Sequence, residues 1–322
     1  MKGRDVVADI GLFITLVNLA GLFVARIESV PAAVTTSQYF LTLFVHMWFS
    51  IYLGNFKGWR KVTWLLLMVS AIGPAFGGFL GYVLPWGQMA YWLAATVPDI
   101  PVIGEALVRG IGALLQAAPR IPDYLALFFL LLPFFALVAD IAVMHWQRWR
   151  HAIVSLFALP VGAIAAAFAI GRLLSLWLPP SWLYVPDRNV FPIFPEWYFL
   201  PYFAILRAMA AMLTAVLATS AAKLTGVIAM FVAMVIPSVL PWAKTNEFRL
   251  QHRSTWFVLC LGLAVIWGGL GYLGSLPPEG LALTTTQILT LLYFGFFLVL
   301  QFVLRRFSNR TSDSAQAASV FN

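Results

Sequence analysis

The chain has 322 residues, of which 62% are apolar and only 10% are charged, and its formal net charge is +8. Soluble domains usually carry about 25% charged residues, so this composition excludes a protein with a water-facing surface. The single cysteine, Cys260, excludes an intrachain disulfide. Because the sequence shows no basic, aromatic-interleaved nucleic-acid module, we expect no nucleic-acid partner. The sequence predicts an integral membrane protein whose surroundings are the lipid bilayer.

Apolar stretches of about 20 residues recur along the chain, and this is the length that a helix needs to cross a bilayer core. Backbone groups in lipid are satisfied only within helices or closed barrels, and the lack of alternating polarity favours helices. We predict an all-α polytopic protein with eight transmembrane helices, at about 6–25, 36–56, 62–84, 123–146, 152–178, 221–243, 254–274 and 284–305.

Three further segments are predicted to lie outside these spans. The amphipathic stretch 101–118 predicts a helix that lies flat on one membrane surface. The apolar segment 195–215 contains Pro195 and Pro201, which interrupt it. We place it at the interface before the sixth span; a shallow re-entrant path is the alternative. Residues 308–322 are rich in Ser, Ala and Asn and predict a flexible tail.

Basic residues near the span ends predict the orientation in the membrane. When the eight spans are threaded in order, Lys2, Arg4, Arg148, Arg150 and Arg305 fall on one side, and that side carries the larger share of Lys and Arg. Cytoplasmic loops are enriched in these residues. Both termini are therefore predicted to be cytoplasmic, in the inner (cytoplasmic) membrane.

Two segments have residue sequences that are more distinctive than those of an ordinary transmembrane helix. Residues 81–89 read Gly-Tyr-Val-Leu-Pro-Trp-Gly-Gln-Met, and residues 195–200 read Pro-Glu-Trp-Tyr-Phe-Leu, followed by Ala-Ile-Leu-Arg at 204–207. A carboxylate such as Glu196, flanked by proline and aromatic residues at a membrane face, is suited to take up a proton. The alternative is that Pro195 and Glu196 form a kink that only ends a short helix.

These two segments are accompanied by His46, by Tyr-Leu-Gly at 52–54 and by Trp64. Together, these features make the chain resemble the cytochrome b subunit of bc-type quinol:cytochrome c oxidoreductase complexes. The resemblance implies a cytochrome b-like fold whose first four helices form a haem-type bundle. The implied division is an N-terminal-like domain at 1–178, an extracytoplasmic connection at 179–220, a C-terminal-like domain at 221–307 and the tail at 308–322.

The resemblance also implies a quinol-oxidation pocket at the extracytoplasmic face. Glu196 and Tyr82 are its implied catalytic residues. The further residues implied to bind quinol or quinone are Gly81, Pro85, Pro195, Trp197 and Tyr198.

The family's two b haems are each held by one histidine from the second helix and one from the fourth. His46 matches the second ligand position of the second helix. The first position, 14 residues earlier, is Ala32, and its partner position on the fourth helix is Phe129. The haem nearer the pocket is therefore expected to be lost. For the other haem, the expected partner position is Val143. The nearest histidine is His145, about 200° further around the helix. We expect at most one haem b, with His46 and His145 as possible iron ligands; alternatively, His145 caps a helix end and His46 packs between helices.

These features predict a cytochrome b-like subunit of a quinone-linked oxidoreductase complex in an electron-transport (respiratory) chain. A haem-free membrane anchor or scaffold subunit of a redox complex is the alternative. A transporter is a weaker hypothesis, since the sequence shows no inverted repeat and no pair of broken helices. The resemblance implies an iron–sulfur protein and a c-type cytochrome as partner subunits, and a homodimer.

Overall fold

The computed structural model describes residues 32–54, 56, 60–83, 104–106, 109–110, 113, 195–243 and 245–320, and the regular structure in these ranges is helical. The elements are α1 (Ala32–Leu53), α2 (Arg60–Val83), α3 (Leu200–Leu213), α4 (Thr219–Val235) with a 3₁₀ continuation (Ile236–Trp242), α5 (Thr245–Gln251), α6 (Arg253–Gly274) and α7 (Gly280–Val320). Helical residues at 104–106 and 109–110 fall within the predicted surface helix. The mostly helical architecture agrees with the predicted fold class.

Three helices of the described part are long and apolar enough to cross a membrane: Thr219–Trp242, Arg253–Gly274 and Gly280–Leu300. They coincide with the sixth, seventh and eighth predicted spans, and α1 and α2 overlap the second and third. The spans predicted at 6–25, 123–146 and 152–178 lie outside the described residues. The complete eight-span topology and the haem-type bundle therefore stay predictions.

The outer faces of α6 and α7 carry large apolar side chains that are exposed. Soluble proteins rarely expose contiguous apolar patches of this kind, because water solvates them poorly. A hydrocarbon environment removes that cost, which agrees with helices that face lipid. Examples of these exposed residues are Phe257, Val258, Leu261, Val265, Leu291 and Leu298.

Two segments differ from the sequence prediction. Pro201 does not interrupt its segment, because it lies in the first turn of α3, where a backbone N–H has no helical partner and the N–H that proline lacks is not needed. α7 continues to Val320, through the segment predicted as a flexible tail. Alanine and glutamine, which occur there, are good helix formers, and extending an existing helix needs no new nucleation.

Two tryptophans locate one end of the helix bundle. Trp64 Nε1 donates a hydrogen bond to the Pro237 carbonyl oxygen at 3.0 Å, which joins the start of α2 to the end of α4. Trp256 Nε1 donates to the Tyr52 carbonyl oxygen at 2.9 Å, which joins the start of α6 to the end of α1. We call this the tryptophan end of the bundle.

The opposite end is where α3 begins, and we call it the Leu200 end. The backbone of Gly274, the last residue of α6, lies so close to Leu200 that an added Cβ would overlap the Leu200 carbonyl oxygen. One turn earlier in α6, Gly271 faces Pro201 at ordinary contact distance. α3 therefore crosses the C-terminus of α6, and this crossing places the segment that precedes α3.

α3 also packs closely on α4 through Gly226. A Cβ at Gly226 would lie 2.5 Å from the Leu206 carbonyl oxygen and 3.1 Å from the Ala210 Cβ. Because the nearest atom belongs to the backbone, the helices must separate to admit a methyl group. We expect Gly226→Ala to lower the free energy of unfolding by about 1–3 kcal/mol, the usual cost of overpacking.

The measurement is the thermal-unfolding midpoint of the purified protein in detergent. Gly268→Ala in α6 is the matched control, since nothing lies within 4 Å of a Cβ at Gly268. An equal loss of stability in both variants would argue against a specific close approach at Gly226.

Candidate functional site

The segment predicted to form the pocket is the turn that starts α3. The Glu196 carbonyl oxygen accepts hydrogen bonds from the Phe199 N–H at 2.8 Å and from the Leu200 N–H at 3.2 Å. Pro195 and Glu196 thus lead directly into a hydrogen-bonded turn. The backbone at Glu196 is fixed relative to α3, and its side chain is half-buried.

The two aromatic residues after Glu196 pack against α1, and α6 adds one more ring to the same cluster. The Phe40 and Tyr198 rings stack with centroids 3.8 Å apart and planes 11° apart. Trp197 meets Tyr198 and Phe44 edge-on, at 6.0 and 6.1 Å. Trp267 meets Phe44 at 4.7 Å. We call these five residues the aromatic cluster, and each ring pair of this kind adds roughly 0.5–1.5 kcal/mol beyond area burial.

The aromatic cluster fixes Tyr198 inside the protein. The Tyr198 side chain is only 4% exposed, and its stacking partner Phe40 is 1% exposed. On the α6 side, Trp267 packs against the buried core that contains Phe40 and Tyr198. The Tyr198 ring therefore anchors the turn against α1, while the neighbouring Glu196 is half-buried.

The other predicted pocket segment lies at the end of α2. Gly81 and Tyr82 belong to the last turn of that helix, and Pro85 lies outside the described residues. Trp64 is at the tryptophan end, and at 1.5 Å per residue Tyr82 is about 27 Å further along the helix. The end of α2 is therefore at the Leu200 end, where the turn containing Glu196 also lies.

His46 lies in the middle of α1 and is buried, with 5% of its surface exposed. A buried imidazole is a suitable axial ligand for haem iron. Ala32, the first residue of α1, lies about 21 Å away along the helix axis, and its methyl side chain has no atom that can bind iron. His145, like Phe129 and Val143, lies outside the described residues, so the second ligand stays a prediction. The described residues hold no cluster of three or more His, Cys, Asp or Glu side chains.

The sequence alone did not assign a role to Arg207, which the structure places at the Leu200 end of the bundle. Its guanidinium donates hydrogen bonds to the carbonyl oxygens of Leu273, Gly274 and Leu276, at the C-terminus of α6. The available signal was an arginine within an apolar helix, where a charge needs a partner. The identity of that partner could not be inferred, because it is a set of backbone atoms 66 to 69 residues away.

Two family models match the chain. The model described as Cytochrome b/b6/petB matches residues 9–152, and the model described as Cytochrome b(C-terminal)/b6/petD matches residues 188–294. Cytochrome b of Rhodospirillum rubrum is 31% identical over 298 residues, an alignment that covers 82% of this chain and 70% of that protein. The chain belongs to the cytochrome b family.

A second member of the cytochrome b group, the cytochrome b/c1 of Bradyrhizobium diazoefficiens, is 32% identical over 305 residues. That alignment covers 84% of this chain but only 42% of the relative, so the chain spans less than half of that protein. Among solved structures, a chain of a hyperthermophilic respiratory complex III matches with a TM-score of 0.64, covering 93% of this chain and 91% of that one. At 16% identity this likeness shows a shared fold.

The candidate residues fall in two parts of the chain, each matched by a different cytochrome b family model. His46, Gly81 and Tyr82 fall in the match to the N-terminal model, and Glu196 and Arg207 fall in the match to the C-terminal model. The contacts between the aromatic residues of α1 and those following Glu196 therefore join the two cytochrome b segments. The resemblance stated from the sequence is confirmed.

Proposed function

We propose that this cytochrome b-family chain is the membrane subunit of a bc-type, quinone-linked electron-transfer complex and binds quinol at the Leu200 end of the bundle. The observation that carries the proposal is the placement of Glu196. Glu196 is half-buried and follows Pro195 in a hydrogen-bonded turn, and the next two residues are anchored in the aromatic cluster. An acidic residue that directly precedes two packed aromatic residues suits a ligand that is an apolar ring carrying hydroxyl groups.

Oxidising a quinol requires a group that accepts its hydroxyl proton. In the proposed mechanism Glu196 accepts that proton, and Tyr82 is the second polar group of the pocket. A base must lie within hydrogen-bonding reach of the proton that it removes, which makes the fixed backbone of Glu196 important. The remaining proposed contacts to the quinol ring are Gly81, Pro85, Pro195, Trp197 and Tyr198.

The candidate iron ligands support at most one b haem. The buried imidazole of His46 would hold the haem iron, with His145 as the proposed second ligand. A b haem held there would supply an acceptor for single electrons. Ala32 does not fit the other ligand position of the second helix, because a methyl group cannot bind iron. Without a haem near the pocket, redox centres on partner subunits are the proposed electron acceptors.

The setting of the subunit is also part of the proposal. Both termini are on the cytoplasmic side of the inner membrane, which puts Glu196 at the extracytoplasmic face. The chain divides into the N-terminal-like domain 1–178, the connection 179–220 and the C-terminal-like domain 221–307. An iron–sulfur protein and a c-type cytochrome are the proposed partners, within a homodimer.

The test is the haem and quinone content of the purified complex that contains this chain. We expect bound quinone and no more than one b haem per chain, measured by quinone extraction and a reduced-minus-oxidised spectrum. His46→Ala is expected to abolish the b-type absorbance. A complex without b haem whose assembly is unchanged by His46→Ala would instead support the haem-free anchor. Two b haems per chain would contradict the assignment of Ala32.

A further inference from the structure

Arg207 forms three hydrogen bonds with the end of another helix. Its Nη2 donates hydrogen bonds to the carbonyl oxygens of Leu273 at 3.1 Å and Gly274 at 2.8 Å, and its Nη1 donates to that of Leu276 at 3.0 Å. The last carbonyl groups of a helix lack helical N–H partners and carry the negative end of the helix dipole. The guanidinium therefore supplies both hydrogen bonds and opposite charge to the C-terminus of α6.

The same side chain is held from its own helix. The Arg207 guanidinium lies over the ring of Phe203, 4.7 Å from the ring centroid. A cation above an aromatic face is attracted by the ring quadrupole, and this effect is larger where water is partly excluded. Arg207 is half-buried, so its guanidinium is oriented by Phe203 on one side and by the carbonyl groups on the other.

The contact lies close to the start of α3 in space, although Arg207 follows it by two helical turns. Leu200 abuts the backbone of Gly274, the residue whose carbonyl oxygen Arg207 binds. α3 is thus held against the α6 terminus at two positions. Leu200 in turn donates its N–H to the Glu196 carbonyl oxygen at 3.2 Å. A continuous set of contacts runs from Arg207 through the end of α6 to the backbone of Glu196.

We propose that Arg207 is a positioning residue that fixes the Glu196 turn at the angle required for proton acceptance from quinol. This inference rests on the proposed function, because the effect on turnover exists only if Glu196 accepts the proton. Two independent geometric features carry it: the three-carbonyl contact of Arg207 and the close approach of Leu200 to Gly274. A lysine cannot replace the planar guanidinium, which reaches three carbonyl groups with fixed donor directions.

The first experiment uses the isolated complex and a synthetic short-chain quinol. Because misplacing a catalytic group by about 1 Å can cost on the order of 10²-fold, we expect Arg207→Gln to lower kcat by roughly that factor with little change in KM. Arg207→Lys, which keeps the charge, is expected to recover only part of the rate. Arg109→Gln is the control, since Arg109 is exposed and pairs with Glu105, four residues before it. A rate equal to that of the wild type in Arg207→Gln would overturn the inference.

A double-mutant cycle separates positioning from a general loss of structure. If Arg207 acts through Glu196, adding Arg207→Gln to Glu196→Gln produces no further fall in kcat, since the group to be positioned is already absent. Multiplicative losses would contradict the inference. If Glu196→Gln alone leaves the rate unchanged, the proposed function fails, and the inference about turnover fails with it.

A structural measurement tests the positioning contact without reference to activity. Hydrogen exchange reports local opening of individual amides. In Arg207→Gln we expect faster exchange at the Phe199 and Leu200 amides, which bond to the Glu196 carbonyl, with protection in α7 retained. Unchanged exchange at both amides would overturn the role of Arg207, whatever the rate of quinol oxidation.

Discussion

Replacing Glu196 with glutamine is expected to slow quinol oxidation by the assembled complex by roughly 10²-fold or more, while the protein still folds and assembles. Glutamine has nearly the same shape as glutamate but cannot accept a proton. The hydrogen bonds that define the turn use the backbone carbonyl of residue 196, so the substitution leaves them in place. The loss is therefore expected in kcat rather than in stability.

The measurement is the steady-state rate of quinol-dependent electron transfer to a soluble acceptor, with the thermal-unfolding midpoint recorded for the same preparation. Glu105→Gln is the matched control, because Glu105 is exposed and its partner is Arg109. A Glu196→Gln complex that turns over at the wild-type rate would exclude Glu196 as the proton acceptor. It would leave the kinked-turn interpretation of Pro195 and Glu196.

Phe40→Ala is expected to lower the free energy of unfolding by about 3–5 kcal/mol, the usual cost of removing a buried phenylalanine. Phe40 is almost fully buried, and its ring stacks on Tyr198. The substitution therefore leaves a cavity between α1 and the Glu196 turn, in addition to removing the aromatic contact. We also expect weaker quinol binding, because the turn loses its support.

Phe49→Ala provides the comparison on the same helix. Phe49 is 44% exposed, so its replacement leaves no enclosed cavity and is expected to change the unfolding midpoint little. Both variants are measured by thermal unfolding in the same detergent. Similar midpoints for Phe40→Ala and Phe49→Ala would show that the ring stack does not stabilise the turn.

The sequence predicted the helical membrane fold well because hydropathy is a local property. Each apolar stretch at 221–243, 254–274 and 284–305 overlaps a membrane-length helix of the structure, with ends displaced by a few residues. The two departures, at Pro201 and in the 308–322 tail, concern helix ends. There the preference of single residues decides whether a helix starts or continues, and hydropathy gives little information.

The candidate site was predictable only in part. Glu196 was proposed as the proton acceptor from its short motif, and Ala32 was proposed as the position of a missing haem ligand from the spacing of the family's ligands along one helix. The Phe40–Tyr198 stack and the Arg207 contacts join residues that are far apart in the sequence. No periodic pattern marks such pairs, and a partner that is a backbone carbonyl leaves no trace in residue type.

The hydrogen bonds of Trp64 and Trp256 also bear on how the two halves of the molecule are held together. Trp64 and Tyr52 belong to the segment matched by the N-terminal family model, whereas Pro237 and Trp256 belong to the C-terminal segment. Each tryptophan thus donates from one segment to a carbonyl group of the other, as residues do across a subunit interface. The peptide connection between the segments raises their effective concentration. The two hydrogen bonds therefore add side-chain contacts to the peptide connection in holding the two segments together.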